Sequence, residues 1–116
     1  MNRNEGVLIV RTISTDGRAV VNVQGDVDMA TAPQFRTLLL QSAAESVGPL
    51  LLDLSGVTYM DSSGVGTMVY LKREIERRGR QLVLIGLQPR VRGVLEITHL
   101  DRFFTIVGSL DEVAQR

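Results

Sequence analysis

Asp61-Ser62-Ser63-Gly64-Val65-Gly66 is the segment whose residue types and spacing come nearest to chemistry. It sets a carboxylate, two hydroxyls and two glycines between an apolar run and a helical pattern. Ser or Asp in such a place ordinarily caps the free amides of the helix that follows. Three polar residues in succession, and then two glycines, exceed what a cap requires. Glycines keep a surface flat and let another backbone approach closely. A hydroxyl here would sit near the positive end of a helix dipole, where a phosphoryl group gains from exposed amides. Such a modification would leave the domain folded and place a charge of about −1.5 to −2 against whatever docks there.

Catalytic chemistry finds no support in the same residues. Asp-Ser-Ser-Gly is not a Gly-x-Ser-x-Gly nucleophile elbow, and His99 is the only imidazole. Placed just after a short helix, His99 reads as a solvated or helix-end residue. Gly64-x-Gly66 lacks the third glycine of a dinucleotide fingerprint, and no phosphate-binding Gly-x-x-x-x-Gly-Lys-Ser/Thr occurs. The absence of Cys excludes disulfides and a zinc-thiolate site, and one His excludes a multi-histidine centre. Asp26, Asp28 and Asp61 could hold Mg²⁺ only if they converged; polar loop residues and caps are the plainer reading. No catalytic residue, metal or cofactor is expected.

The elements that must position this segment follow from periodicity. Residues 7–13 are β-branched and read as a strand, Thr15-Asp16-Gly17-Arg18 as a turn, and residues 19–24 as a returning strand. Gly25 ends it, and Asp26 to Ala30 form a loop. Thr31 is placed to cap a helix, with Pro33 in its first turn and Gln34 completing a capping box. Phe35, Leu38 and Leu39 keep helical spacing until Gly48-Pro49. Leu50-Leu51-Leu52-Asp53-Leu54 reads as a central strand buried on both faces.

A second helix is predicted over residues 63–78, with Gly64, Met68, Leu71 and Ile75 on one face and Val65 beside them. Glu74–Arg78 and Glu76–Arg80 are expected ion pairs, and Gly79 a C-cap. Residues 81–85 form another buried strand and residues 88–98 a short helix. Residues 103–107 form the last strand, and Ser109 opens a terminal helix. The order ββαβαβαβα predicts one α/β domain spanning residues 1–116. Its single mixed sheet is mostly parallel, with an antiparallel edge hairpin, and is flanked by helices.

Composition narrows the function classes. The 116 residues are 44% hydrophobic and 22% charged, and 13 basic residues balance 13 acidic ones. A nucleic-acid binder ordinarily carries a basic excess. The clusters at residues 72–73 and 77–80 are interrupted by Glu74 and Glu76. The N-terminus lacks the apolar run of a signal peptide, and no stretch approaches the ~20 apolar residues of a membrane span. A cytoplasmic binding protein is expected.

Three segments together resemble the STAS domain (sulphate transporter and anti-sigma factor antagonist), in its short stand-alone bacterial form. They are Gly25-Asp26-Val27-Asp28 with Thr31-Ala32-Pro33, then Leu52-Asp53-Leu54-Ser55-Gly56-Val57, then Tyr59-Met60-Asp61-Ser62-Ser63-Gly64-Val65-Gly66. Each is weak alone; in this order and spacing, across essentially the whole chain, they are specific. Asp26 replaces a common Glu and Val65 a common Leu, and neither disturbs the pattern.

The resemblance implies an anti-sigma factor antagonist, not an enzyme. A partner anti-sigma factor that is also a serine kinase would phosphorylate Ser63, the serine directly before the first glycine. Ser62 would be its neighbour and a cap, and Asp61 with Asp28 would form an acidic rim. Together with Gly64, Val65 and Gly66 these residues make the expected docking face. The unmodified domain would bind the anti-sigma factor and free a sigma factor; the phosphorylated one would release it, and a phosphoserine phosphatase would reset the cycle. Such isolated domains resemble monomers, with no direct nucleic-acid or membrane partner. The alternative is a constitutive scaffold or a subunit of a signalling or transport complex.

Overall fold

Alternation along the central strands decides how the molecule is layered. Successive side chains of a strand point to opposite faces. Leu50, Leu52 and Leu54, with Leu82 and Leu84, therefore enter one core, while Leu51, Val83 and Ile85 enter another. The computed structural model describes residues 8–13 and 17–114, with side chains from residue 17 to 113. Its elements are β1 (Leu8–Ile13), β2 (Ala19–Gln24), α1 (Ala32–Ala44), β3 (Leu50–Gly56) and α2 (Ser62–Arg77), then β4 (Leu82–Ile85), α3 (Pro89–Ile97), β5 (Thr105–Val107) and α4 (Leu110–Ala114).

The sheet runs β1-β2-β3-β4-β5. Strands β2 to β5 are mutually parallel, and β1 pairs antiparallel with β2, Leu8 opposite Gln24 and Ile13 opposite Ala19. Parallel neighbours in sequential order, joined by right-handed crossovers, must place their helices on one face. Phe35 and Leu39 of α1, Met68, Leu71 and Ile75 of α2, and Val91 and Leu95 of α3 accordingly share the larger core. The opposite face carries a smaller cluster of Leu51, Val83, Ile85 and Val107, against which Val113 of α4 packs. Strand β3 is thus buried on both faces, as its Leu50-Leu51-Leu52 run requires. Val7, Thr15 and Asp16, parts of the predicted first strand and turn, lie outside the described residues; Gly17 has φ +87°.

Four local expectations are corrected. Thr31 occupies the N-cap position of α1 but makes no side-chain cap bond. Its hydroxyl instead donates to the Asp26 carbonyl at 2.8 Å and accepts from the Asp28 amide at 3.0 Å. The Asp28 carboxylate takes the amides of Ala30 and Thr31, at 3.0 and 3.1 Å. Glu76 pairs with Lys72 rather than Arg80. The Arg80 guanidinium is drawn to the end of α1, where it donates to the carbonyls of Ala43 and Gly48 and to Ser46 Oγ. Burial there, and next the neighbouring Arg78 charge, push its pKa down.

The final strand is shorter than its apolar run. Phe104 is buried in the larger core and Phe103 packs against it. An extended chain would send adjacent side chains to opposite faces. A turn closed by Leu100 O serves both rings, which meet edge to face at 5.1 Å. Finally, α2 starts one residue earlier than predicted, with Asp61 rather than Ser62 as its cap.

Candidate functional site

Two loops build the site, and backbone pairing locks them together. The Val27 amide donates to the Tyr59 carbonyl at 3.0 Å and the Asp61 amide donates to the Val27 carbonyl at 3.2 Å. An isolated parallel bridge joins Val27 to Met60. Val27 and Met60 are buried, so this stitch is fixed by apolar packing as well as by hydrogen bonds. It brings the segment after β2 beside the start of α2.

Each loop carries an aspartate that organises backbone amides. Asp61 has the extended backbone of an N-cap, and its Oδ1 accepts from the amides of Ser63 and Gly64 at 2.9 and 3.2 Å. Asp28 Oδ1 serves the turn into α1 in the same way. The predicted acidic rim is therefore a pair of carboxylates already engaged by the chain's own amides. Among the described residues no three of His, Cys, Asp or Glu gather as a metal site, so Asp26, Asp28 and Asp61 do not form one.

The hydroxyls are placed differently. Ser62 is exposed, and Ser63 is half-buried in the first turn of α2. Among the described residues neither hydroxyl has a hydrogen-bond partner. Ser63 borders an open groove between α1 and α2, which Met29, Pro33, Arg36, Thr37 and Thr67 also line. Met29 stands 78% exposed at its mouth. Over the same helix pair, the Arg36 guanidinium lies 4.0 Å from the centroid of the Tyr70 ring.

Two members of the predicted docking face turn inward. Gly64 is buried, and a Cβ built on it would meet Met60 Cγ at 2.6 Å and the Val27 carbonyl oxygen at 2.8 Å. Here the glycine admits the chain's own backbone, not a partner's. Val65 is only 6% exposed and belongs to the larger core. Both support the loop from below. Gly66 is exposed with open space where a Cβ would stand. His99 is exposed at the end of α3, in a left-handed conformation with φ +60°.

Sequence reasoning did not find Met29, Arg36, Thr67 or Tyr70. The signal was present as two helical strips: Pro33 with Arg36 and Thr37, three and four residues on, and Ser63-Thr67-Tyr70 at steps of four and three. Their meeting depends on how α1 and α2 pack, which no local pattern encodes.

The geometry leaves the Ser63 hydroxyl without a hydrogen-bond partner among the described residues, at the edge of an open groove. Comparison with known proteins gives a consistent frame. The STAS domain family model matches residues 3–113. An anti-sigma-B factor antagonist of Staphylococcus epidermidis is 29% identical over 93 residues, covering 80% of this chain and 86% of its own. An anti-sigma factor antagonist from Mycobacterium paratuberculosis shares the fold with a TM-score of 0.83 at 24% identity, covering 99% of this chain and 97% of its own. The Bacillus cell fate determinant SpoIIAA in its phosphorylated form superposes with a TM-score of 0.68 at 20% identity, over 93% of this chain and 98% of its own.

Proposed function

The chain belongs to the STAS domain family, and from that premise we propose that it is an anti-sigma factor antagonist switched at Ser63. The observation that carries this reading is the position of Ser63. Its hydroxyl is without a hydrogen-bond partner among the described residues, in a helix turn whose amides Asp61 already holds, beside an open groove.

The unmodified face, built on Ser62, Ser63, Gly66 and the exposed Met29, docks an anti-sigma factor with serine kinase activity. Asp28 and Asp61 shape that face, and Gly64 and Val65 support it from the core. In the kinase step Ser63 Oγ forms a bond to the γ-phosphorus of ATP held by the partner. The bond from that phosphorus to the ADP oxygen breaks, and the hydroxyl proton passes to a base of the kinase. Desolvating the resulting dianion at a formed interface is costly. Each ~1.4 kcal/mol of that cost is tenfold in affinity, so one phosphate reverses partner choice. A phosphatase resets the serine by transferring the phosphoryl group to water.

The test is intact-mass analysis after incubation with ATP and a cognate anti-sigma factor with serine kinase activity. One phosphoryl group is expected on the wild-type chain and none on Ser63→Ala, which still binds. No addition, or addition unaffected by Ser63→Ala, overturns the reading. A Ser63→Asp variant that binds as tightly as wild type would favour a constitutive scaffold instead.

A further inference from the structure

The groove beside Ser63 contains one charged group, the guanidinium of Arg36, and its lining holds no carboxylate. Lys72, Arg77 and Arg78 on the outer face of α2 are paired with glutamates. Arg36 has no such partner among the described residues; its neighbour is the neutral Tyr70 ring at 4.0 Å. A ring contact gives a guanidinium's N–H donors no charged acceptor, and their fork matches phosphate oxygens. Ser63, Thr67 and Thr37 line the same groove.

We infer that Arg36 receives the phosphoryl group of phosphorylated Ser63, folding the modification into the groove between α1 and α2. This rests on the reading of Ser63 as the phosphoacceptor. Ser63, Thr67 and Tyr70 lie at i, i+4 and i+7 of α2, so they share one face. The offset from Ser63 to Tyr70 is about 10 Å of helix rise. Helical side chains slant toward the N-terminus, so the Tyr70 ring leans back along that distance. The long arginine stem and the outward phosphoserine close the rest. Modification then does two things to a docking partner: it adds an anion, and it withdraws the groove's cation into an internal bidentate pair.

The test installs phosphoserine at residue 63 by genetic encoding, so it depends on no kinase. The second ionisation of the phosphate, near pH 6 when unperturbed, is followed by ³¹P NMR in the wild-type background and in Arg36→Ala, Arg36→Gln and Arg36→Lys. Amides of the helix start act equally on all four. A midpoint in the wild-type background about half a pH unit or more below those of Ala and Gln is expected, with Lys between; half a unit is about threefold in proton affinity. Midpoints that coincide across the four overturn the inference while leaving the antagonist reading standing. Conversely, a kinase that ignores Ser63 would defeat that reading without altering this titration.

Discussion

A methyl group on Gly64 would stand 2.8 Å from the carbonyl oxygen of Val27 and 2.9 Å from its Cγ1. Val27 lies in the loop after β2 and Gly64 in the first turn of α2, and their closeness is what lets the one segment support the other. Gly64→Ala is therefore expected to destabilise the domain by about 1–3 kcal/mol, the usual cost of overpacking a fixed contact. Two residues on, Gly66→Ala meets open space inside a helix and should stabilise by about 0.5–1 kcal/mol. Urea midpoints of the two variants should move in opposite directions. Shifts of the same sign would mean that the close approach at Gly64 is not what fixes the loop.

Arg80 should matter far more than its predicted partner. Its guanidinium reaches two carbonyls and a hydroxyl at the end of α1, tying that helix to the turn before β4. Removing a charged donor from such acceptors costs about 1.5–3 kcal/mol. Arg80→Ala is expected to lose that much by chemical denaturation. Arg80→Lys should recover only part, because one ammonium cannot span the three acceptors. Glu76→Ala, which removes a surface pair with Lys72, should stay within about 0.5 kcal/mol.

Much of the frame was legible because its signals are local. The leucine run of β3 needs burial on both faces wherever it sits, and the spacing of Met68, Leu71 and Ile75 defines the inner face of α2 without reference to neighbours. The caps and the ion pair are choices among equivalent partners. Thr31 and Asp28 can each close the turn into α1, and Asp61 and Ser62 can each cap α2. In both cases the carboxylate wins, since it accepts two amides where a hydroxyl ordinarily takes one. Glu76 had cations four residues away on either side, and packing against α1 took Arg80 out of contention. The groove was invisible for a different reason: Arg36 and Tyr70 are distant in sequence and meet only across two packed helices.

His99 offers a gain in stability. It follows α3 in the left-handed region, with its amide bonded to Glu96 O and that of Leu100 to Leu95 O. The same closure ends α2, where Gly79 holds φ +76° without a side chain to strain. An L-residue in this conformation costs roughly 1–2 kcal/mol, partly offset because glycine is freer when unfolded. His99→Gly is expected to stabilise by about 0.5–1 kcal/mol, read as a higher urea midpoint with unchanged slope. Because His99 has no part in the proposed docking face, phosphoryl addition at Ser63 should be unaffected. A loss of stability would show that the imidazole makes a compensating contact.

Asp61 separates a capping role from a recognition role. Its Oδ1 accepts the amides of Ser63 and Gly64, and an asparagine can offer the same acceptor without the charge. Asp61→Ala should therefore cost about 1 kcal/mol or more, and Asp61→Asn only the few tenths owed to the helix dipole. The local readout is hydrogen exchange at the Ser63 and Gly64 amides. It should accelerate roughly fivefold or more in the Ala variant, since each 1.4 kcal/mol of local opening is tenfold, and little in Asn. Anti-sigma factor binding should follow the same order, with Asn close to wild type. If Asn instead lost binding as fully as Ala while keeping slow exchange, the carboxylate charge itself would be what the partner reads, and the role of Asp61 as a pure organiser of the turn would fall.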